Sequence, residues 1–208
     1  MSPAARATLD RAAAARRALI ELVAERGLHA TSVAEVAKRA GVAAGTIYVH
    51  YPSKDALVVA AHAEAKDAMA AAAVAGLHPD APPEERFVGL WRRLHEFLRD
   101  DPVLARFVVQ LDSLPVRVEV LPPEFGLTPS QVGSADSAAA ASLPGAALVE
   151  AALALDMVDE LLPLPLTVLW DLGLAPAIRA AAMPLEPPLD EAALTELAHA
   201  CWRAVTRP

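Results

Sequence analysis

Apolar residues recur along this chain at the three- and four-residue spacing of amphipathic helices. The first such segment covers residues 9–25, and Gly27 follows it as a C-terminal cap residue would. Ser32 and Glu35 then have the spacing of a capping box, which predicts the start of a second helix. A third, short helix is predicted over residues 43–50, after a tight turn.

The same periodicity predicts further helices through the rest of the chain, and we find neither a convincing strand nor an internal repeat. The predicted helices cover residues 54–75, 87–98, a sixth segment that opens at Pro102, then 146–161, 164–182 and a last one that begins near Asp190. Residues 114–144 lack the pattern and are rich in proline, glycine and serine, which predicts a long loop. We therefore expect an all-α fold.

Composition indicates whether the chain folds and in which compartment it is expected. Of the 208 residues, 55% are hydrophobic, which is typical of a folded chain and not of a disordered one. Cys201 is the single cysteine, so no internal disulfide can form and a reducing compartment is favoured. The most apolar stretch, residues 161–183, carries Asp171, Arg179 and several prolines, which a membrane-spanning helix would not. With no export leader at its start, the chain is expected in the cytoplasm, without a membrane partner.

Charge is distributed unevenly. The formal net charge is −8, yet residues 1–54 carry eight Lys and Arg against four Asp and Glu. The remaining residues carry ten against twenty-two. A basic N-terminal segment on an acidic body is the distribution that a nucleic-acid contact confined to one end would require.

The segment GVAAGTIYVHYPSKDAL, residues 41–57, carries the candidate chemistry. Two short helices joined by a glycine-containing turn form either a DNA reader or a corner of a helical protein. Both tyrosines of the chain, Tyr48 and Tyr51, fall in this segment together with Thr46, His50 and Lys54. Such side chains supply most protein contacts to phosphates, so the inventory favours the DNA reader.

Residues 31–57 resemble the N-terminal signature of the tetracycline-repressor (TetR/AcrR) family of bacterial transcription regulators. The matching positions are Thr31, Ser32, Val36, Ala37, Ala40, Gly41, Val42, Gly45, Thr46, Tyr48, Tyr51, Ser53, Lys54 and Leu57. The resemblance implies a helix-turn-helix DNA-binding domain over residues 1–53 and a helical ligand-binding and dimerisation domain over residues 54–208. It also implies a homodimer that binds a pseudo-palindromic double-stranded operator and responds to a small-molecule effector.

The resemblance assigns DNA contacts to individual residues. Thr31 or Ser32 would meet a phosphate at the start of the second helix, Tyr48 the backbone, and Lys54 another phosphate. The chain departs from the family at Ala43, where a capping serine is usual. Base readout would rest on few side chains, and the operator would be read partly through its shape. The predicted DNA-contacting set is Thr31, Ser32, Ala44, Thr46, Tyr48, His50, Tyr51 and Lys54.

Two further sets of residues follow from the implied body domain. The site for an apolar or aromatic effector would be lined by Trp91, Leu94, His95, Phe107, Gln110, Met157 and Trp170. Ordinary core packing would also explain each of these residues. The dimer would form on Leu194, Leu197, Ala198, Cys201, Trp202 and Val205, and a core within one chain would use the same pattern. The expected function is a ligand-responsive repressor that leaves its operator when the effector binds.

Other classes of function leave fewer traces in the sequence. No nucleophile elbow, zinc-protease pair, P-loop or dinucleotide fingerprint is present, so we expect no enzyme and no cofactor. The six histidines are scattered without metal-ligand spacing, so no metal is expected. The remaining alternative is a helical scaffold or partner-binding protein without sequence-specific DNA binding. Ala43 and Ala44, at the start of the presumed reading helix, are its best support.

Overall fold

The structure, a computed structural model, describes residues 3–78, 80–112, 159–164, 166–183 and 186–207. Within these ranges the chain is all-helical, as predicted, apart from one isolated bridge between Leu161 and Thr206. The helices are α1 (Pro3–Arg26), α2 (Val33–Ala40), α3 (Ala44–His50), α4 (Lys54–Val74), α5 (Pro83–Asp100), α6 (Pro102–Asp112), α7 (Leu166–Gly173), α8 (Ala175–Ala182) and α9 (Glu191–Val205).

The first three helices form the N-terminal head. Helix α1 packs on α2 and α3 on one side, and on α4 and α6 on the other. Leu19 and Val23 of α1 are buried together with Val36 of α2 and Ile47 of α3, and they belong to the same apolar cluster as the core of the body. The head therefore has a small core of its own side chains that is continuous with the larger one. The predicted division at residue 53 remains a prediction.

The body is built around α5. The apolar periodicity that predicted a helix over residues 87–98 is confirmed, because Phe87, Leu90, Trp91, Leu94 and Leu98 are all buried. Helix α5 packs against α4, α8 and α9, while α6 packs against α1 and α8. Helix α6 thus lies between the head and the body, and none of the described helices is long and apolar enough to cross a membrane.

The prediction of one helix over residues 164–182 is wrong. The structure has α7 and α8 there, separated at Leu174. Pro176 explains the break, because it has no amide hydrogen and its ring would clash with the carbonyl four residues earlier. Proline is tolerated in the first turn of a helix, which is where α8 places it. The predicted loop over residues 114–144 and most of the predicted helix over 146–161 lie outside the described residues.

Candidate nucleic-acid interface

A reciprocal capping box fixes the start of α2. The Ser32 hydroxyl accepts from the Glu35 amide at 3.3 Å, and the Glu35 carboxylate accepts from the Ser32 amide at 3.0 Å. The hydrogen bonds with Ser32 lower the pKa of Glu35. At the other end Gly41 has φ of 68°, a left-handed conformation that glycine adopts without the penalty of a Cβ atom. Cap and turn together set the angle at which the chain enters α3.

Helix α3 directs one face to the core and the opposite face to solvent. Ile47 is only 1% exposed and is the one fully buried side chain of this helix. Ala44, Gly45, Tyr48 and Val49 are exposed, with Tyr48 at 54% and Val49 at 80%. Because successive helix residues are about 100° apart, Gly45, Tyr48 and Val49 lie on the side away from Ile47, and Ala44 borders that face. Thr46 and His50, two members of the predicted DNA-contacting set, are half-buried at its margin.

The N-terminus of α3 has no side-chain cap. Ala43 occupies the N-cap position with the extended conformation typical of a cap, φ −69° and ψ 145°. Replacing Ala43 with serine should therefore stabilise the protein by about 1 kcal/mol, because a hydroxyl there can accept from an otherwise unsatisfied amide of the first turn. Urea unfolding measures the change. Ala44→Ser is the matched control, since it lies one residue inside the helix and should shift stability by less than about 0.5 kcal/mol.

Two residues of the predicted DNA-contacting set are buried in the head. The Thr31 side chain, only 2% exposed as a residue, donates its hydroxyl to the Gly27 carbonyl at 2.9 Å. Tyr51 is 8% exposed, and its hydroxyl accepts from Arg16 at 2.6 Å. Both hydroxyls therefore form hydrogen bonds within the protein. A DNA contact by either residue remains a prediction, and it would require these bonds to open.

Lys54 is also engaged inside the protein. Its ammonium donates to the Leu28 carbonyl at 2.7 Å, which ties the first residue of α4 to the connection between α1 and α2. The side chain is half-buried. Ser53 caps the same helix by accepting from the Ala56 amide at 3.1 Å. Lys54 thus holds the head onto α4, a role that the sequence did not indicate.

Charge on the head is partly neutralised and partly free. Glu21 and Glu25 pair with Arg39, and Glu35 pairs with Arg26. Hydrogen bonds to the two glutamates raise the pKa of Arg39. By contrast, the exposed Arg11, Arg17 and Lys38 make no ion pair with any residue that the structure describes. Most acidic side chains of α1 and α2 are therefore in ion pairs within the head, while the cationic side chains of Arg11, Arg17 and Lys38 lie at the surface.

Comparison with known proteins assigns this head to a family. Residues 15–61 match the family model for bacterial regulatory proteins of the tetR family, a match that runs from α1 through the start of α4. The chain carries a tetR-family N-terminal domain. An "Uncharacterized HTH-type transcriptional regulator" from Haemophilus influenzae is 31% identical over 94 residues, which are 45% of this chain and 50% of that protein. The "Fatty acid metabolism regulator protein" of Bacillus subtilis is 43% identical over 42 residues, 20% of this chain and 22% of that protein. The chain therefore spans half or less of the length of these relatives.

Solved structures extend the likeness beyond the tetR-family domain. A TetR-family regulator from Haemophilus influenzae superposes with a TM-score of 0.65 at 22% identity, covering 97% of this chain and 99% of that one. A second, from Marinobacter aquaeolei VT8, has a TM-score of 0.68 at 21% identity, covering 96% and 97%. At such identities the likeness concerns the fold. The all-helical fold of the described residues is similar to that of these TetR-family regulators.

The residues predicted to line an effector site include side chains of the core of the body, and the effector site itself remains a prediction. Trp91, Leu94 and Phe107 are completely buried in the core of the body. His95 stacks on Trp91 with ring centroids 5.8 Å apart, and burial together with Arg99 lowers the pKa of His95. Met157 lies outside the described residues. Core packing, the alternative that the sequence left open, accounts for the three apolar side chains.

Gln110, on the same helix as Phe107, lies next to the head. Its side-chain oxygen is 3.7 Å from the position that a Cβ atom on Gly27 would take. Gly27 has φ of 89° and is the first residue of the connection between α1 and α2, to which Lys54 of α4 donates a hydrogen bond. Lys54 of α4 therefore bonds to this connection, and Gln110 of α6 lies next to its first residue.

A buried charged cluster connects those same two helices, and sequence spacing did not reveal it. Lys66 of α4 donates to the Asp112 carboxylate of α6 at 2.9 Å, and His62 lies 3.3 Å from the other carboxylate oxygen. The Lys66 ammonium also lies 4.2 Å from the centre of the Trp170 ring, which places Trp170 in this cluster. Burial opposes ionisation of Asp112, but attraction to Lys66 and hydrogen bonds with His62 and Lys66 outweigh it and hold its pKa below the usual range.

The apolar stripe of α9 is buried within a single chain. Leu194, Ala198, Cys201, Trp202 and Val205 all belong to the intrachain core, and Leu197 is partly buried against it. Trp202 packs on Phe87 of α5 with ring centroids 5.4 Å apart. The alternative of an intrachain core therefore explains the stripe. Dimerisation remains a prediction, and a partner would have to contact other faces of the molecule.

Proposed function

We propose that the protein is a DNA-binding transcriptional regulator that acts in the cytoplasm and places α3 in the major groove of an operator. The observation that carries this proposal is the exposed face of α3, Ala44 to Val49, in a matched tetR-family domain. This face contains no acidic residue, and exposed cations remain on the same head. A duplex presents a dense array of phosphates, so such a surface is attracted to it.

We further propose that two chains bind one operator. A single seven-residue helix offers few contacts, and helix-turn-helix proteins gain affinity by pairing on half-sites about 34–36 Å apart. Val168 and Leu172 support a second chain as partner, because these apolar residues of α7 are exposed one helical turn apart in the single chain. The operator of such a dimer is pseudo-palindromic.

The proposal includes a repressor that an effector releases from its operator. Support comes from the connection between α1 and α2, to which Lys54 of α4 bonds and next to which Gln110 of α6 lies. A small apolar or aromatic molecule that binds the body and shifts α4 against α6 would displace the head. Such a molecule acts by favouring a conformer in which the two α3 helices no longer fit the groove spacing.

Selection from a random double-stranded DNA library tests the proposal. We expect enrichment of a pseudo-palindrome whose half-sites lie about one helical turn apart, with affinity that falls steeply as salt concentration rises. Compounds that raise the melting temperature would then be added to the selected complex, and a subset should release the DNA. A library that stays unenriched would favour the helical scaffold instead.

Substitutions of Lys54 separate its internal role from a phosphate contact. We expect Lys54→Gln to leave the salt dependence of DNA binding unchanged, because the Lys54 ammonium donates to the Leu28 carbonyl and so neutralises no phosphate. Lys54→Met removes the bond and should lower stability by about 1 kcal/mol or more, again without changing the salt dependence. The measurements are urea unfolding and affinity across a salt series. If both variants reduce the slope of log K against log salt by about 0.9 per protomer, Lys54 does contact a phosphate.

A further inference from the structure

Val49 is an apolar side chain that the fold holds in solvent. It is 80% exposed, more than any other large apolar side chain that the structure describes. Its exposure follows from helix geometry, because Ile47 takes the direction of the core and Val49 lies about 200° further round. Backbone hydrogen bonds hold the helix at both ends, from the Thr46 amide to the Ala43 carbonyl at 2.9 Å and from the Tyr51 amide to the Ile47 carbonyl at 2.8 Å. Val49 is thus displayed by a formed helix and not by a frayed end.

The face around Val49 lacks the groups that usually read bases. Bidentate readout of guanine or adenine needs arginine, lysine, asparagine or glutamine, and none of the four exposed residues of α3 is of these types. A Cβ atom on Gly45 would meet nothing within 4 Å, so the backbone at Gly45 is open to close approach. What the face offers to a base edge is methyl groups and one phenol ring. The apolar group that DNA presents in the major groove is the C5-methyl of thymine.

We propose that this face recognises thymine through its C5-methyl group, with Val49 as the specificity-determining residue. The inference rests on the proposed function, since it names the base that α3 reads. Tyr48, which is 54% exposed on the same face, flanks the contact. Gly45 lets the helix lie close enough for the valine methyls to reach the base. Each half-site of the operator then contains at least one thymine whose methyl group, and not a hydrogen bond, carries recognition.

Replacement of thymine by deoxyuridine tests the inference, because it removes the methyl group and leaves base pairing intact. The probe is the duplex selected by the protein from the random library, with each thymine replaced in turn and affinity measured by fluorescence anisotropy. We expect one position in each half-site at which deoxyuridine weakens binding of the wild type about fourfold, as expected for loss of one buried methyl group. Val49→Ala should weaken binding to the thymine duplex and abolish the difference between thymine and deoxyuridine.

Val74→Ala provides the matched control, since Val74 is a partly exposed valine at the end of α4, outside α3. This variant should keep the full response to deoxyuridine. If the selected duplex binds but no deoxyuridine position affects the wild type, or if Val49→Ala keeps the whole response, the inference is overturned while the proposed function stands. If no duplex is enriched and binding does not depend on salt, the proposed function fails and the inference fails with it.

Discussion

Asp112→Asn is expected to destabilise the folded chain by about 3 kcal/mol, because it removes a carboxylate from a buried ammonium. The carboxylate lies 2.9 Å from Lys66, whose side chain is 7% exposed. Urea unfolding at neutral pH measures the loss. Asp100→Asn is the matched control, since the Asp100 side chain is 75% exposed beside Arg99 and should contribute less than about 1 kcal/mol. A cost for Asp112→Asn as small as that of the control would show that the ion pair adds little.

The pH dependence of the same pair has a defined sign. The pKa of Asp112 in the folded chain is below its ordinary value of 3.8, so its stabilising contribution is present above that value. The contribution is lost as pH falls from about 4 towards the lower pKa of the folded state. The difference in unfolding free energy between wild type and Asp112→Asn should therefore shrink between pH 5 and about pH 2. Adding Lys66→Met to Asp112→Asn should recover part of the loss at neutral pH, because the buried charge is then gone.

Ile47→Ala is expected to cost about 3 kcal/mol, since it deletes the one fully buried side chain of α3 and leaves a cavity against α1 and α2. Val49→Ala is the matched control on the same helix. Both residues are β-branched, but Val49 is 80% exposed and its truncation should change stability by less than about 0.5 kcal/mol. Thermal unfolding and hydrogen exchange of the α3 amides measure both. Equal effects of the two substitutions would mean that α3 is not anchored through Ile47.

Local sequence signals predicted the head well because they act over a few residues. The spacing of Ser32 and Glu35 predicted the capping box that the structure has at the start of α2. The exposure of Val49 could also have been predicted from the sequence. If Ile47 points to the core, helix geometry places Val49 on the opposite, solvent-facing side. Without that geometric step, an apolar residue such as Val49 is easily taken for a core residue.

Long-range contacts were beyond prediction from one sequence. A hydroxyl or ammonium close to a DNA reader can face the duplex or the protein interior, and nothing local distinguishes the two. Tyr51 meets Arg16 across thirty-five residues, and Lys66 meets Asp112 across forty-six. These pairs depend on how α1, α4 and α6 pack. The break at Leu174 is a different case, because Pro176 was a visible signal that the apolar periodicity of residues 164–182 masked.

The buried thiol of Cys201 makes this chain suitable for distance measurement by spin labelling. Cys201 is the only cysteine in the sequence, and burial raises the pKa of its thiol. Buried thiols of raised pKa react slowly, because the thiolate is the reactive form. A cysteine introduced at the exposed Ala30, in the connection between α1 and α2 and outside α3, would therefore take a label first. Double electron–electron resonance between two such labels would measure the distance between the two heads in a pair of chains, with and without DNA.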